Sequence, residues 1–142
     1  WSYHYCRRQW SLADDGTLKY QYLDRFDKAM LKLLKSGRLM TKAPKNQWIG
    51  QDDKVLIYTE GDHVFAFNFH PERSFTGYFI PVEEEGIYKV TLTTDDIAFG
   101  GFNRVDTEYE YVAERQLDGR IGFMCYLPNR CAIVLKKIKK NA

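Results

Sequence analysis

What most constrains the fold of this chain is a change of texture near residue 51. Before it the apolar residues recur at helical spacing, and after it they fall into short alternating or compact runs closed by turns. Residues 64–69 show the second texture most clearly. Phe65, Phe67 and Phe69 share one face while Val64, Ala66 and Asn68 share the other, the two-residue period of a strand. Residues 55–59 are a compact apolar run ended by Gly61-Asp62, a turn signal. Residues 78–82 read as a strand that Pro81 pushes toward an edge or bulge, because proline cannot donate to a ladder. Tyr88, Val90 and Leu92 alternate with Lys89, Thr91 and Thr93, the pattern of a strand wet on one side. Residues 108–113 form a weaker strand. Residues 121–127, a turn at Pro128-Asn129, and residues 131–137 read as a closing hairpin. About six or seven short strands with frequent turns predict an antiparallel β-sandwich.

Ahead of the strands, Leu18, Tyr22, Leu23, Phe26, Met30, Leu33 and Leu34 form one apolar stripe of a helix over residues 18–34. Asp24 and Lys28 are placed as a favourable four-apart pair. Asp14 and Asp15 suit the helix start, and Gly37 suits a left-handed stop. A shorter helix is expected around residues 5–12, and residues 43–46 read as a polar connector. The predicted class is therefore mainly β, an antiparallel β-sandwich preceded by one or two helices.

Bulk properties exclude several classes. The length of 142 residues suffices for one real core. A net charge of +2 is too small to argue for nucleic acid or an anionic membrane as partner. The sequence carries neither a run long enough to span a bilayer nor a basic-then-apolar signal segment. Cys6, Cys125 and Cys131 show no metal-ligand or redox spacing, and His4, His63 and His70 no paired spacing. The expectation is a reduced, cytoplasmic compartment with no metal and no cofactor. The chain begins at Trp1 rather than Met, from which we expect that residues upstream have been cut away.

Three segments, in order, carry a resemblance. The first is Ser2-Tyr3-His4-Tyr5-Cys6-Arg7-Arg8-Gln9-Trp10 with Asp14-Asp15 and Tyr22-Leu23-Asp24-Arg25-Phe26-Asp27-Lys28-Ala29-Met30. The second is Val64-Phe65-Ala66-Phe67-Asn68-Phe69-His70-Pro71 with Ser74-Phe75 and Tyr78. The third is Phe99-Gly100-Gly101 with Arg104, leading to Tyr126-Leu127-Pro128-Asn129-Arg130. Together they resemble the C-terminal region of glycogen (1,4-alpha-glucan) branching enzymes of the plant and animal type, within the α-amylase superfamily. Cys6 departs from the family pattern, where alanine is expected.

The resemblance implies a division into residues 1–42, the terminal helical segment of a catalytic (β/α)₈ barrel, and residues 43–142, an all-beta sandwich of the alpha-amylase C-terminal type. It implies a parent enzyme, a retaining hexosyltransferase that forms α-1,6 branches in glycogen. Such chemistry needs a close carboxylate pair, roughly 5 Å apart, and the motifs that supply it lie upstream of Trp1. No catalytic residue is therefore assigned here, and the fragment is expected to be inert, supporting a barrel that is missing in cis. α-Glucan is the implied partner, through the parent enzyme.

Within this resemblance residues 1–8 come from the last barrel loop, which lines the C-terminal, active-site face. Tyr3, His4, Tyr5, Arg7 and Arg8 are thus the candidate glucan-binding residues. Their aromatic faces and polar tips suit sugar rings. Packing of the loop onto the barrel wall, or pairing with its acids, explains the same residues. Asp14-Asp15, Asp52-Asp53 and Asp95-Asp96 are read as caps and solvated turns, since sequence neighbours do not face each other. Trp48, Phe99, Phe102, Tyr109 and Tyr111 suit either a second glucan platform or the core. A stand-alone carbohydrate-binding sandwich and a plain structural domain remain the alternatives to the accessory domain. The helical front end favours the accessory domain, because its stripe needs a partner surface, which the missing barrel would supply; in isolation this face is expected to be partly exposed, to self-associate or to fold back over the sandwich.

Overall fold

The computed structural model describes residues 3–6 and 9–139, the side chains of Tyr5, Cys6 and Lys139 excepted. A short 3₁₀ turn, Tyr3–Cys6, precedes α1 (Ser11–Asp14) and the long α2 (Tyr20–Gly37). The strands follow as β1 (Lys45–Gly50), β2 (Val55–Glu60), β3 (His63–Asn68), β4 (Phe75–Pro81), β5 (Gly86–Thr93), β6 (Glu110–Arg115), β7 (Ile121–Leu127) and β8 (Cys131–Lys139).

Every pairing is antiparallel, in the order β1-β2-β3-β8-β5-β6-β7-β4. The ribbon bends at β6. Its Glu110 to Ala113 face β5, while Glu114 and Arg115 pair with Gly122 and Ile121 of β7. A strand that changes sheets in this way makes the corner of a sandwich. Val55, Ile57, Val64, Ala66, Val90, Ile133 and Leu135 from one layer meet Ile80, Phe123, Cys125 and Leu127 from the other. Ile57, Ile80, Leu127, Ile133 and Leu135 are wholly buried, and burying side chains of this size stabilises by about 1.5–3 kcal/mol each.

The predicted alternation of residues 64–69 is present, with both faces in use. Val64, Ala66 and Asn68 point into the core, while Phe65 and Phe67 join Tyr58, Val134 and Leu92 on the outer face of the sheet. Tyr58 stacks on Phe65 at 4.6 Å and on Phe67 at 5.9 Å between centroids. Helix α2 folds back onto this row through Leu33 and Leu34, and Leu39 just beyond it is buried there.

Several local expectations need correction. Gly37 is not the left-handed residue; Arg38 is, at φ 49°. Position 37 is tight instead: a Cβ there would lie 3.0 Å from the His63 ring, which would have to give by a few tenths of an ångström. Asp15 caps no helix start; its carboxylate accepts from the Thr17 N–H and hydroxyl in the turn after α1. The Asp24–Lys28 pair forms as expected, at 2.6 Å. In β5 the register shifts between Val90 and Leu92, so Leu92 turns outward to the helix and Thr93 is buried. A bulge adds one residue and reverses the alternation beyond it.

β7 and β8 form no hairpin. β7 pairs with β4 and β6, and β8 with β3 and β5, so residues 128–130 arch from one layer to the other. Both strands carry buried residues for opposite walls of one core, and a hairpin would put them side by side in one wall. β1 lies where the connector was expected to run on.

β1 and β4 are the two ends of the strand order. Side chains tie them together: Trp48 Nε1 donates to the Tyr78 hydroxyl at 2.9 Å, and that hydroxyl donates to Asp53 Oδ2 at 3.1 Å. β4 carries a register shift between Phe75 and Tyr78 and ends at Pro81, as its proline required of an edge strand.

Candidate functional site

Of the five residues singled out for glucan, Tyr3 and His4 stand exposed on the 3₁₀ turn Tyr3–Cys6, with Tyr3 90% accessible. The Tyr5 side chain, Arg7 and Arg8 lie outside the described residues. No convergent site is therefore assembled from this set by the described side chains.

A groove of about 620 Å³ runs between α2 and the loop after β5. Tyr22, Leu23 and Phe26 form its helical wall, and Thr94, Ile97, Phe99, Gly100 and Gly101 the opposite one. Phe26 meets Phe99 edge-on at 5.4 Å. Gly100 sits at φ 76°, and the place of a Cβ there is 3.0 Å from the Tyr22 ring, so only glycine lets helix and loop approach. Leu23 and Ile97 are 67% and 71% accessible. This lining is apolar and aromatic with Lys19 the one charged group among the described residues, a surface suited to packing rather than to acid–base chemistry.

The loop is held by one buried carboxylate. Asp95 is 3% accessible and accepts from Arg104 Nη2 at 2.7 Å, from Arg104 Nε at 3.0 Å, and from the backbone N–H of Arg104 at 2.6 Å and Phe102 at 3.4 Å. Burial alone would raise this carboxyl; the Arg104 side chain and the backbone donors outweigh it and hold the group below its ordinary range. Arg104 Nη1 continues to Asn129 Oδ1 at 2.8 Å, tying the loop to the arch between β7 and β8. At Gly101 a Cβ would fall 2.2 Å from the Asp95 carbonyl. The Phe99-Gly100-Gly101…Arg104…Asn129 pattern is thus one structural unit. Of the Asp95-Asp96 pair only Asp96 is a plain cap, accepting from the Ala98 N–H at 2.8 Å.

A second cleft, about 420 Å³, lies at the C-terminal end of α2 and is lined by Arg38, Lys42, Glu60, His63 and Lys136 among others. Burial first, then the Lys136 charge, holds the His63 imidazole below its ordinary value and favours the neutral ring. His70 is occupied structurally, its Nδ1 accepting from the N–H groups of Glu72 and Arg73.

The five aromatics considered as a second platform do not act together. Phe99 is taken by Phe26, Tyr111 is buried in the core with Phe123, and Tyr109 packs edge-on against Tyr111. Phe102 is 79% accessible with the Arg104 guanidinium 5.2 Å from its ring centre. Trp48 stands apart on β1. Sequence reasoning missed the two long-range Asp–Arg associations described here, Asp95 with Arg104 and Asp53 with Arg73. Their only trace in the sequence is a carboxylate and an arginine separated by a glycine-rich loop in the first case and by two strands in the second.

Comparison with known proteins gives two findings. Residues 48–138 match the family model described as alpha amylase, C-terminal all-beta domain. The chain is also similar to proteins named 1,4-alpha-glucan-branching enzyme: 41% identical over 140 residues to that of Yarrowia lipolytica, 39% over 148 to that of Candida glabrata, and 37% over 137 to that of Saccharomyces cerevisiae. These matches cover 96%, 96% and 94% of this chain and 20% of each relative. The chain spans about a fifth of the length of the curated relatives it matches. Among the described residues no helix is long and apolar enough to cross a membrane.

Proposed function

We propose a function from one premise: the chain belongs to the alpha amylase C-terminal all-beta domain family and is homologous to the C-terminal region of 1,4-alpha-glucan-branching enzymes. It serves as the accessory domain of an enzyme that cuts an α-1,4 glucan and transfers the freed segment to a 6-hydroxyl. The chain supplies no catalytic carboxylate itself. It supports a catalytic barrel in cis, in the cytoplasm, and α-glucan is the substrate of the whole enzyme.

The observation that carries this reading is the state of α2. Its stripe is satisfied by the sheet only near the C-terminal end, through Leu33, Leu34 and the adjacent Leu39. Farther up, Leu23 is 67% accessible and the groove beside Tyr22 and Phe26 stays open. A helix whose Tyr22 and Phe26 are only partly covered by the loop after β5, and whose Leu23 is exposed, has room for a second partner surface. This supports assigning residues 1–42 to the barrel side and 43–142 to the sandwich. Tyr3, His4, Tyr5, Arg7 and Arg8 are then the residues that reach toward glucan. The exposure of Tyr3 and His4 supports this.

The test mixes this chain with the upstream part of a similar branching enzyme and follows the iodine colour of amylose. The chain alone is expected to leave the colour unchanged, and the two together to shift it more than the upstream part does. A shift produced by the chain alone, or an upstream part indifferent to the chain, would refute the reading.

A further inference from the structure

Three strands set unlike polar groups in one row on the face that α2 covers. The period of two that sends Phe65 and Phe67 to that face sends His63 the same way. Its register partners are Glu60 on β2 and Lys136 on β8. α2 ends against this row, since the place of a Cβ on Gly37 is 3.0 Å from the His63 ring. Arg38 then turns the chain at φ 49°. Glycine is the usual residue at such a closing position, because a side chain there is strained. With Lys42 and Asp62, these groups line the cleft of about 420 Å³ at the end of the helix.

The row is set apart by what it leaves unpaired. His63 is 3% accessible and Glu60 8%. His63 feels burial and the charges of Lys136, Asp62 and Glu60, and no hydrogen bond reaches its ring among the described residues. The Glu60 carboxylate has only the Lys42 backbone N–H, at 3.5 Å. Arg38, Lys42, Lys136 and Asp62 enter no salt bridge among the described residues. Elsewhere opposite charges close on each other: Asp95 and Arg104 at 2.7 Å, and even the looser Asp53 and Arg73 at 3.5 Å. Buried polar groups are ordinarily hydrogen-bonded, so a sheltered imidazole and carboxylate facing one cleft call for a polar occupant.

The mixture of groups narrows its chemistry. A bare anion would meet the three cations but be opposed by the two carboxylates, and a bare cation the reverse. A molecule with a phosphate at one end and hydroxyls at the other uses both sets. Arg and Lys hold phosphate by charge-assisted bonds. Carboxylates accept from hydroxyls, and a neutral imidazole both donates and accepts. The helix end is already satisfied, its Leu34 and Lys35 carbonyls accepting from the N–H groups of Leu39 and Arg38. The cleft falls in the roughly 300–1,000 Å³ range of small-molecule sites.

We propose that this cleft binds a sugar monophosphate, with Arg38, Lys42 and Lys136 holding the phosphate and Glu60, Asp62 and His63 taking hydroxyls. It uses no residue of the glucan set and stands independently of the accessory-domain reading.

The experiment is calorimetric titration of the 142-residue chain with glucose 6-phosphate, inorganic phosphate and glucose at matched ionic strength, with thermal unfolding recorded for each variant. Glucose 6-phosphate is expected to bind with a Kd of about 1 mM or tighter, inorganic phosphate about tenfold more weakly, and glucose without detectable heat. Replacing two exposed cations together, Arg38→Gln with Lys42→Gln, should weaken sugar phosphate binding at least about tenfold at unchanged melting. Should that pair shift the melting curve, Lys136→Gln alone carries the same expectation. Lys19→Gln removes an equal charge at the other end of α2 and should stay within about twofold. No heat from glucose 6-phosphate at about 10 mM, or equal losses in the cleft and Lys19 variants, would overturn the site. Equal affinity for inorganic phosphate would leave the carboxylates without a role and overturn the sugar assignment.

Discussion

Replacing Arg104 by alanine tests whether the Asp95 ion pair organises the loop that faces α2. The substitution removes two side-chain hydrogen bonds to Asp95 Oδ1, at 2.7 and 3.0 Å, and two to Asn129, at 2.8 Å to Oδ1 and 3.4 Å to its carbonyl. It leaves a carboxylate that is 3% accessible. Breaking one half of a buried pair costs about 3–5 kcal/mol. The lower end applies, because the backbone N–H at position 104 still donates and the Arg104 side chain is itself 29% accessible. A loss of about 3 kcal/mol lowers Tm by roughly 10 °C for a domain of this size.

The effect has a definite pH signature. With Arg104 present the Asp95 carboxyl titrates below its ordinary 3.8, so its contribution is complete above that value and is lost as pH falls through the folded-state pKa. Without the Arg104 side chain only the backbone donors oppose burial, so the carboxyl titrates higher than in the parent and protonation relieves the variant first. The stability gap should therefore be widest near pH 7 and narrow as pH falls toward about 4. Urea unfolding followed by circular dichroism at both pH values measures it. A gap under about 1 kcal/mol at pH 7, or one of equal size at both pH values, would refute the argument.

Three further outcomes are expected. Gly101→Ala should prevent the native loop from forming, since the new Cβ meets Asp95 backbone at 2.2 Å, whereas Gly77→Ala, with only the end of Met124 at 3.4 Å, should unfold like the parent chain; equal melting curves would contradict this. Leu39→Ala should cost about 2–3 kcal/mol and speed amide exchange in the last turns of α2, while leaving exchange in β2 and β3 bounded by the global change; protection lost evenly across all elements would argue against α2 being attached through this contact. Burial pushes the Cys125 thiol up to about 11, and Cys131 in the same direction, so iodoacetamide at pH 8 should modify neither in the folded chain and both in urea; rapid labelling of the native chain, read by mass spectrometry, would show the core to be open.

The parts of the fold that were legible are those where one local pattern and the final environment agree. β3 is the clearest, because its two apolar faces serve two different partners and each keeps its period of two. α2 was legible as a stripe, although nothing in its sequence says how far along the sheet covers it. β1 was illegible because an edge strand with a single fully buried residue, Gly50, needs no periodicity. The bulge in β5 follows from pairing with β8, more than thirty residues away, and leaves no mark on the alternation of residues 88–93. The β7–β8 hairpin was a fair local inference that non-local burial overrode. For the sites, exposure and the loose or closed state of an Asp–Arg pair are properties of packing. Asp53 and Asp95 look alike in the sequence, each beside another aspartate, and only the structure separates them.

The placement of β8 has a consequence for synthesis on the ribosome. β8 is the last of the eight described strands to leave the exit tunnel, yet it fills the space between β3 and β5 in the middle of its sheet. Until it emerges, those two strands wait with bare edges, and the nascent chain is sticky rather than folded. A premature stop just before Cys131 would leave them in that state permanently. Loss of this one strand therefore opens the middle of the sheet rather than trimming its edge.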